Sequence, residues 1–529
     1  MTNETSSTNR QIARAAGTVM VALVLSNLAN LVSLILMGTS FGTKGEMDAF
    51  LAANRVSETL FVLMAGGALG SAFIPTFTGL LTKGKREKAW KLASAIANLV
   101  LIILTLAAVL AAIFAEPLVR YVLAPGFAGN PAIEALTVDL LRVMLPSAVI
   151  FGLSGLMMGI LNSHQIFFIP ALTPAFYRLG MIFGILFLSP RMGIFGLAWG
   201  VVIGAALHLV LQIPSLLRLK GQYFPTLGLK QPAVREVGLL MAPRLFGVAA
   251  VQLNLWVNTR LASRMVEGSV TGVSWAFTIM LMPQAIIAQA VATAALPTFS
   301  TQYALGKFAE LRTSLASSLR GILLLALPAT IGLIFLRQPI VKLMFEYGDN
   351  FDERSTQMVA WALLWYTVGL IGHSVVEIFS RAFYALHNTI IPVAVGVLAM
   401  ALNIGLSVFF ATWFQRLGWM PHGGLALANS LATSLEAIVL WVLMGRRLEG
   451  LEGRWVFQGI WQALLGSGLM GLVLWFWLNQ ADSMPLWVLV IGGVLIGGAV
   501  YVVILLILQV DEVQSLLRIF RQRLGLFSR

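Results

Sequence analysis

Long apolar stretches separated by short polar turns extend over almost the whole chain. Counting these stretches between turn signals predicts about fourteen α-helices. Their approximate centres are Ala29, Leu63, Ile103, Ile150, Phe183, Val202, Leu253, Ile286, Leu325, Gly369, Leu402, Leu435, Met470 and Ile496. The stretch at 486–508 contains no charged residue and is long enough to cross a bilayer as a helix. No alternation of apolar and polar residues dominates, so the pattern predicts an all-α polytopic membrane protein and not a barrel.

Proline and glycine landmarks in the first half of the chain recur in the second half at one constant spacing. The pairs Pro75/Pro297, Gly84/Gly306, Pro117/Pro339, Gly126/Gly348 and Pro170/Pro392 are each 222 residues apart. This regular spacing indicates a duplicated module. Each copy contains six predicted helices, so both copies begin on the same side of the membrane and form a parallel repeat.

The repeat predicts four segments along the chain. These are an N-terminal six-helix lobe at 1–220, a cytoplasmic linker at 221–234, a second six-helix lobe at 235–447, and a final segment at 448–529 with the last two helices and a basic tail. A cleft between two such lobes is suited to a transported molecule, which predicts a transporter.

Composition agrees with a membrane protein: 58% of residues are hydrophobic and 11% are charged. The net charge of +13 could suggest nucleic acid as a partner, but the basic residues concentrate in alternate loops. They lie at Arg10 and Arg14, at 83–91, 218–235, 307–312 and 446–454, and in the tail at Arg518, Arg521, Arg523 and Arg529. By the positive-inside rule, this distribution predicts two cytoplasmic termini and excludes a role in nucleic-acid binding.

Enzyme chemistry has little support in the sequence. Gly79–Arg86 nearly matches a phosphate-binding loop, but Arg86 occupies the position of the required Ser or Thr. The five histidines show no metal-ligand spacing, and there is no cysteine. We therefore expect no enzyme, no resident metal and no cofactor, and leave a coupling cation or the membrane potential open as the energy source.

Ionisable and amide side chains at membrane depth are the candidate binding residues, because their burial in lipid is costly. The candidates are Asn27 and Asn30 in the first predicted helix, Asn54, Arg55 and Glu58 in the second, and Asn254, Asn258, Arg260 and Arg264 in the seventh. Arginines flanked by amide donors predict an anion-binding wall. The alternative is that Arg55 pairs with Glu58, that Arg264 pairs with Glu267, and that all extend to the membrane interface. For Arg142 and Arg178, near predicted helix ends, structural roles are favoured.

Short motifs in a fixed order resemble the MurJ/MviN lipid II flippases of the multidrug/oligosaccharidyl-lipid/polysaccharide exporter superfamily. The motifs are Asp48-Ala49-Phe50, Ala72-Phe73-Ile74-Pro75, Ala124-Pro125-Gly126-Phe127, Ile160-Leu161-Asn162, Ile169-Pro170-Ala171, Asn258-Thr259, Gly268-Ser269-Val270, Phe345-Glu346-Tyr347-Gly348 and Gly369-Leu370-Ile371-Gly372. The resemblance covers nearly the whole chain. It implies fourteen helices, a central cavity for the pyrophosphate and sugar head of a polyprenyl-linked peptidoglycan precursor, and a lipid-tail groove at the last two helices.

The chain departs from this family at the positions of its typical cavity arginines. The family's Ser-Arg-x-x-Gly-x-x-Arg pattern in helix 1 is replaced by the stretch from Ser26 to Ser33, which contains Asn27 and Asn30. Phe61 and the pair Phe277-Thr278 stand where members have further arginines. Four expected cations are therefore missing. An anionic pyrophosphate still needs donors, so either other arginines supply them or the substrate has changed.

These observations predict a lipid II flippase of a bacterial cytoplasmic (inner) membrane that works by alternating access. Arg55 and Arg260 would bind phosphates, the asparagines would contact the polar headgroup, and Asp48 would belong to an outer gate. The expected partners are the polyprenyl-pyrophosphate lipid, membrane lipids and proteins of cell-wall synthesis. A flippase for another polyprenyl-linked polysaccharide and a non-transporting scaffold in cell-wall synthesis are the alternatives.

Overall fold

The computed structural model describes residues 2–64, 68–480 and 484–514, without the side chains of residues 2–19, 64, 68–71, 243, 244 and 246. The predicted basic tail and the side chains of Arg10 and Arg14 lie outside the described residues. Within these ranges, every regular element is a helix. The all-α fold predicted from the hydrophobic pattern is confirmed.

The chain divides into two compact units, of which the first comprises residues 1–270 and 348–351. Its α-helices are α1 Thr2–Phe41, α2 Gly45–Met64, α3 Ala68–Thr82, α4 Arg86–Ile113, α5 Ala115–Pro117, α6 Pro131–Ser163, α7 Phe168–Phe183, α8 Ser189–Met192, α9 Ile194–Val210, α10 Ile213–Arg218 and α11 Pro232–Ala262. Leu118–Leu123 and Gly184–Leu188 are π-helical, and Pro125–Gly129 is a 3-10 turn. A core around Phe73, Phe77 and Trp90 joins α3, α4 and α6.

The second unit comprises residues 271–347 and 352–529. Its helices are α12 Ser269–Gln284, which begins two residues before the boundary, α13 Ala290–Ala304, α14 Phe308–Phe345, α15 Glu353–Val368, α16 Leu370–Ala385, α17 Ile390–Arg416, α18 His422–Arg447, α19 Gly453–Leu478 and α20 Leu486–Ile507. A π-helical turn at Ala285–Gln289 joins α12 to α13. The unit boundary at 270/271 lies beyond the predicted linker at 221–234, and the predicted lobes stay a prediction.

Each of the fourteen predicted helix centres except Gly369 lies in a helix or helix segment of the structure, and Gly369 is the break between α15 and α16. Eleven helices in the described ranges are long and apolar enough to cross a membrane, or up to 13 if two bent pairs each count as one span. One pair, α15 and α16, bends by 48° at Gly369. These helices make the chain a multi-pass membrane protein.

The second predicted helix is not among those spans, and its side chains explain why. The structure describes it as α2 and α3, on either side of residues 65–67. Asn54, Arg55 and Glu58 lower the hydropathy of α2 below that of a lipid-facing span. A helix of this kind is stable at membrane depth when its polar face is turned toward protein or a cavity.

A seam of glycines brings α7 and α9 into backbone contact. A Cβ atom on Gly180 would overlap the backbone of Gly204, and one on Gly184 would overlap the backbones of Gly196 and Gly200. Small residues allow helices to approach this closely. The seam fixes the position of α7, which contains Arg178.

In the second unit, Arg320 of α14 is only 2% exposed and anchors the segment that follows α20. Its Nε lies 2.7 Å from Glu512 Oε1, and its guanidinium lies 4.6 Å from the centre of the Trp455 ring. A Cβ on Gly459 of α19 would lie within 3.0 Å of the Arg320 side chain, so glycine provides the required space. This buried pair holds the last helices against α14.

The loop residue Asp352 lies directly before α15. Asp352 Oδ1 accepts a hydrogen bond from Ser355 N over 2.8 Å and caps the helix. Hydrogen bonds from the side chain and backbone of Ser355 lower the pKa of the Asp352 carboxyl from its usual value, because they favour the charged form.

Candidate functional site

The first unit encloses a cavity of about 510 Å³ between helices α1, α2, α6, α7, α9 and α11. Its polar lining consists of Ser26, Asn27, Asn30, Asn54, Arg55, Ser57, Glu58, Arg178, His208 and Gln252, and its aromatic lining of Phe61, Phe151 and Tyr177. This volume lies within the range of small-molecule sites. Five of the predicted binding residues thus meet in one cavity: Asn27, Asn30, Asn54, Arg55 and Glu58.

Arg55 and Glu58 form an ion pair on the cavity-lining face of α2. Arg55 Nη1 donates to Glu58 Oε2 over 3.1 Å, and the two side chains are 18% and 45% exposed. The i,i+3 spacing of the two residues in the sequence places both side chains on one face of α2, as predicted. Both residues line the cavity, so the local pair predicted as an alternative is also part of the candidate site.

Arg178 is a second guanidinium in the same cavity, although its position in the sequence predicted a structural role. Its Nη1 lies 3.5 Å from Met181 Sδ, and its Cζ lies 5.3 Å from the centre of the Tyr177 ring. No carboxylate of the described ranges pairs with it. It lies near the middle of the span Phe168–Met192, because α7 continues through a π-helical turn into α8. The predicted helix centre at Phe183 had placed Arg178 closer to a helix end.

A hydrogen-bonded group connects α11 to the turn of α2 that contains Arg55. The Thr59 hydroxyl lies 2.6 Å from the Arg55 carbonyl oxygen and 3.1 Å from Gln252 Oε1, and accepts a hydrogen bond from Trp256 Nε1 over 2.8 Å. Since a hydroxyl has a single proton, it donates to one of these oxygens at a time. The group fixes α2 against α11 at the cavity wall.

Aromatic rings form the wall next to these charges. The Phe61 and Phe151 ring centres are 4.5 Å apart, and those of Phe151 and Tyr177 are 5.0 Å apart. His208 continues this wall, and its Nδ1 lies 2.6 Å from the Ser154 hydroxyl. The wall is therefore apolar at Phe61, where the family resemblance led us to expect a cation.

Asn254, Asn258 and Arg260 of α11, and Arg264 in the turn after it, lie elsewhere in the first unit and are not among the residues that line this cavity. Asn258 Nδ2 donates to Asn254 Oδ1 over 3.1 Å, and both side chains are buried. Arg260 Nη1 donates to the carbonyl oxygens of Tyr121 and Val122, and Arg264 is exposed. The predicted binding roles of these four residues stay predictions.

Contacts with backbone groups of residues 121–126 fix the C-terminal end of α11. Besides the Arg260 contacts, Gly126 N donates to Ser263 Oγ over 3.2 Å, and a Cβ on Gly126 would overlap the Ser263 carbonyl. The arginine predicted as a phosphate ligand is therefore occupied in joining α11 to the segment before α6.

Asp48 is buried at the N-terminal end of α2. Its Oδ2 accepts a hydrogen bond from Gly268 N over 2.7 Å, and Gly45 N donates to Glu267 Oε1 over 2.5 Å. Gly268 adopts φ +91°, a conformation that favours glycine. The Asp48 carboxylate of α2 thus binds a backbone N–H of the segment 267–268, and the Glu267 carboxylate binds a backbone N–H at the start of α2. The gate role of Asp48 stays a prediction.

Among the described residues, no group of three or more histidine, aspartate or glutamate side chains is placed to hold a metal. The sequence left open whether a coupling cation takes part in transport, and the described side chains also leave this open.

Comparison with known proteins gives a match to one protein family over most of the chain. The family described as "Lipid II flippase MurJ" matches residues 37–496, which is more than half of the chain. A lipid II flippase MurJ of Burkholderia cenocepacia is 29% identical over 86% of this chain and 89% of its own length. A probable lipid II flippase MurJ of Vibrio cholerae is 28% identical over 94% of this chain and 96% of its own.

Solved structures give the same result for the fold. The structure titled "Lipid II flippase MurJ, inward closed conformation" matches with a TM-score of 0.81 and 26% identity, and covers 94% of this chain and 99% of its own. A multidrug resistance transporter of the MATE family, in an inward-facing conformation, matches with a TM-score of 0.69 at 16% identity, over 82% of this chain. This second likeness concerns the fold alone.

Proposed function

Because the chain belongs to the lipid II flippase MurJ family, we propose that it moves lipid II, a polyprenyl-pyrophosphate-linked precursor, across a bacterial cytoplasmic membrane by alternating access. The observation that supports this function most directly is the charged cavity in the first unit. Two arginines, one glutamate and three asparagines meet there within a helical membrane protein. Buried charges at membrane depth are costly and mark substrate paths.

The chemistry of the cavity suits a phosphate-containing headgroup. Guanidinium groups bind phosphate oxygens through paired N–H donors, and asparagine side chains supply donors and acceptors to sugar and amide groups. The aromatic wall of Phe61, Phe151 and Tyr177 provides apolar contact beside them. The polyprenyl chain would stay in the bilayer, and the expected groove at the last two helices stays a proposal. Transport is the activity proposed, with no chemical step on the substrate.

Topology and energy source follow as further parts of the proposal. The basic residues of alternate loops support cytoplasmic N- and C-termini. A coupling cation or the membrane potential would drive the conformational cycle, since a charged group that crosses the field responds to the potential. Proteins of cell-wall synthesis are proposed as partners.

A second candidate function is the transport of another polyprenyl-linked polysaccharide precursor. The specific observation in its favour is that Asn27 and Asn30 line the cavity where helix 1 of typical members is cationic, and that Phe61 replaces a further cation. Fewer cations with the same amide donors suit a headgroup with less negative charge or a different sugar.

Replacement of the essential flippase in living bacteria tests the proposed function. In a strain depleted of its own flippase, we expect the wild-type chain to restore growth and the Arg55→Ala variant to lower lipid II translocation about tenfold or more, because it removes a charge-assisted contact. Arg142→Ala, at a position that is 48% exposed and outside the cavity, is the control. Loss of growth without movement of any of these lipids would support the scaffold alternative, and no growth with movement of another polyprenyl-linked lipid would support the second candidate.

A further inference from the structure

The cavity of the first unit holds two guanidinium groups in different electrostatic states. Arg55 donates to Glu58 over 3.1 Å, so the carboxylate compensates its charge. Arg178 has a thioether and an aromatic ring as its neighbours, and no described carboxylate pairs with it. A thioether is a weak acceptor, and a ring face compensates only part of a cation. Most donors of Arg178 are therefore available to an anion.

Arg178 and Glu58 belong to the same part of the cavity. Both line it, and both interact electrostatically with the hydroxyl group of Tyr177. The two arginines and the single glutamate leave an excess of one positive charge in the lining. An entering phosphate group would meet the uncompensated guanidinium first and would compete with Glu58 for Arg55.

Comparison of the two repeats shows that this charge is not required by the scaffold. At the constant spacing of 222 residues, Arg55 corresponds to Phe277, Glu58 to Met280 and Arg178 to Met400. The second repeat therefore builds the corresponding helices with apolar side chains. An arginine that only served packing in α7 would be an expensive substitute for methionine at membrane depth.

We propose that Arg178 is the primary phosphate ligand of this cavity, and that Glu58 weakens binding by competing with the phosphate for Arg55. The inference rests on the proposed function, which it deepens by assigning the anion contact to two named arginines with unequal roles. Arg178 takes the part of the cations that the chain lacks in helix 1 and at Phe61.

Binding of undecaprenyl pyrophosphate to the purified full-length protein in phosphatidylcholine nanodiscs tests the assignment. We expect Arg178→Ala to weaken binding at least tenfold and Arg178→Lys to recover part of it, since lysine keeps the charge but not the planar fork. We expect Glu58→Gln to tighten binding about threefold or more, because the Glu58 carboxylate no longer compensates the charge of Arg55. Uncharged undecaprenol should bind the wild type and all variants equally.

Matched controls keep the result unambiguous. Arg142 is 48% exposed and pairs with Asp139 away from the cavity, so Arg142→Ala should bind undecaprenyl pyrophosphate as the wild type does. If Arg178→Ala does not fold, Arg178→Gln and the opposite-signed effect of Glu58→Gln still decide the proposal. Unchanged binding in the Arg178 variants, or weaker binding in Glu58→Gln, would overturn it.

The binding experiment also separates this inference from the proposed function. If the wild type binds undecaprenyl pyrophosphate through Arg178 but moves no lipid II in cells, the assignment holds and the proposed function fails. If the wild type moves lipid II while Arg178→Ala binds and transports normally, the proposed function holds and the assignment fails.

Discussion

Asp48 is 3% exposed, and its Oδ2 accepts the backbone N–H of Gly268 over 2.7 Å. Replacement by alanine would leave this N–H without that acceptor in a buried position. We therefore expect Asp48→Ala to lower the free energy of unfolding by about 1–3 kcal/mol, the usual cost of a buried donor that loses its partner. The measurement is thermal denaturation of the detergent-solubilised protein.

A neighbouring carboxylate supplies the control for this experiment. Glu46 lies two residues before Asp48 on the same helix and is exposed, so Glu46→Ala should leave the stability nearly unchanged. An Asp48→Ala variant as stable as Glu46→Ala would show that the buried hydrogen bond contributes nothing to the fold.

The sequence predicted the positions of some candidate residues correctly, but not the contacts of others. The spacing of Asn54, Arg55 and Glu58 placed them on one helix face, which depends only on helical geometry. The spacing could not show that Arg260 reaches the carbonyl of Tyr121, which is 139 residues away along the chain. Arg178 was given a structural role because the predicted helix centre at Phe183 placed it near a helix end, whereas it lies near the middle of the span Phe168–Met192. A mid-helix arginine in an apolar segment was the signal that could have identified it.

At the scale of helices, the glycine seam between α7 and α9 decides where Arg178 and His208 lie. We expect Gly200→Leu to force the two helices apart, because a side chain there would meet the backbones of Gly180 and Gly184. The expected result is a loss of about 1–3 kcal/mol of stability and a loss of undecaprenyl pyrophosphate binding. Thermal denaturation and equilibrium binding measure these two effects.

Gly321 of α14 provides a matched control, because no atom lies within 4 Å of a Cβ at that position. Gly321→Leu should have little effect on either measurement. If Gly200→Leu were as stable and as competent in binding as Gly321→Leu, close packing of α7 on α9 would not be what positions the cavity wall.

Helix existence was predictable from the chain because apolar length is a local property, as the charge-free stretch that became α20 shows. Breaks and irregular turns depend on tertiary contacts. The π-helical turn at Gly184–Leu188 lies where Gly184 and Gly196 bring two backbones together, which no periodicity signals. The bend at Gly369 likewise lies where the Ser430 backbone and side chain leave no space for a Cβ atom.

At the scale of the whole molecule, the two copies of the repeat differ in charge at the positions that form the cavity lining. The compared side chains are charged in the first copy and apolar in the second. The 222-residue repeat gives each half the same helices, yet Arg55 and Arg178 correspond to Phe277 and Met400. We therefore propose that the first unit binds the anionic headgroup. The family and its fold follow from features distributed over the chain, whereas the proposed headgroup contacts depend on a few side chains whose neighbours the sequence does not determine locally.

Translocation of fluorescent lipid II in proteoliposomes of the purified full-length protein tests this claim most directly. The wild type is expected to move lipid II between leaflets, and the Arg55→Ala/Arg178→Ala double variant to lose at least 90% of the initial rate, or about tenfold, because both phosphate contacts are removed. Arg142→Ala/Arg191→Ala, with two exposed arginines outside the cavity removed, should keep the wild-type rate. Wild-type translocation by the cavity double variant would contradict the account.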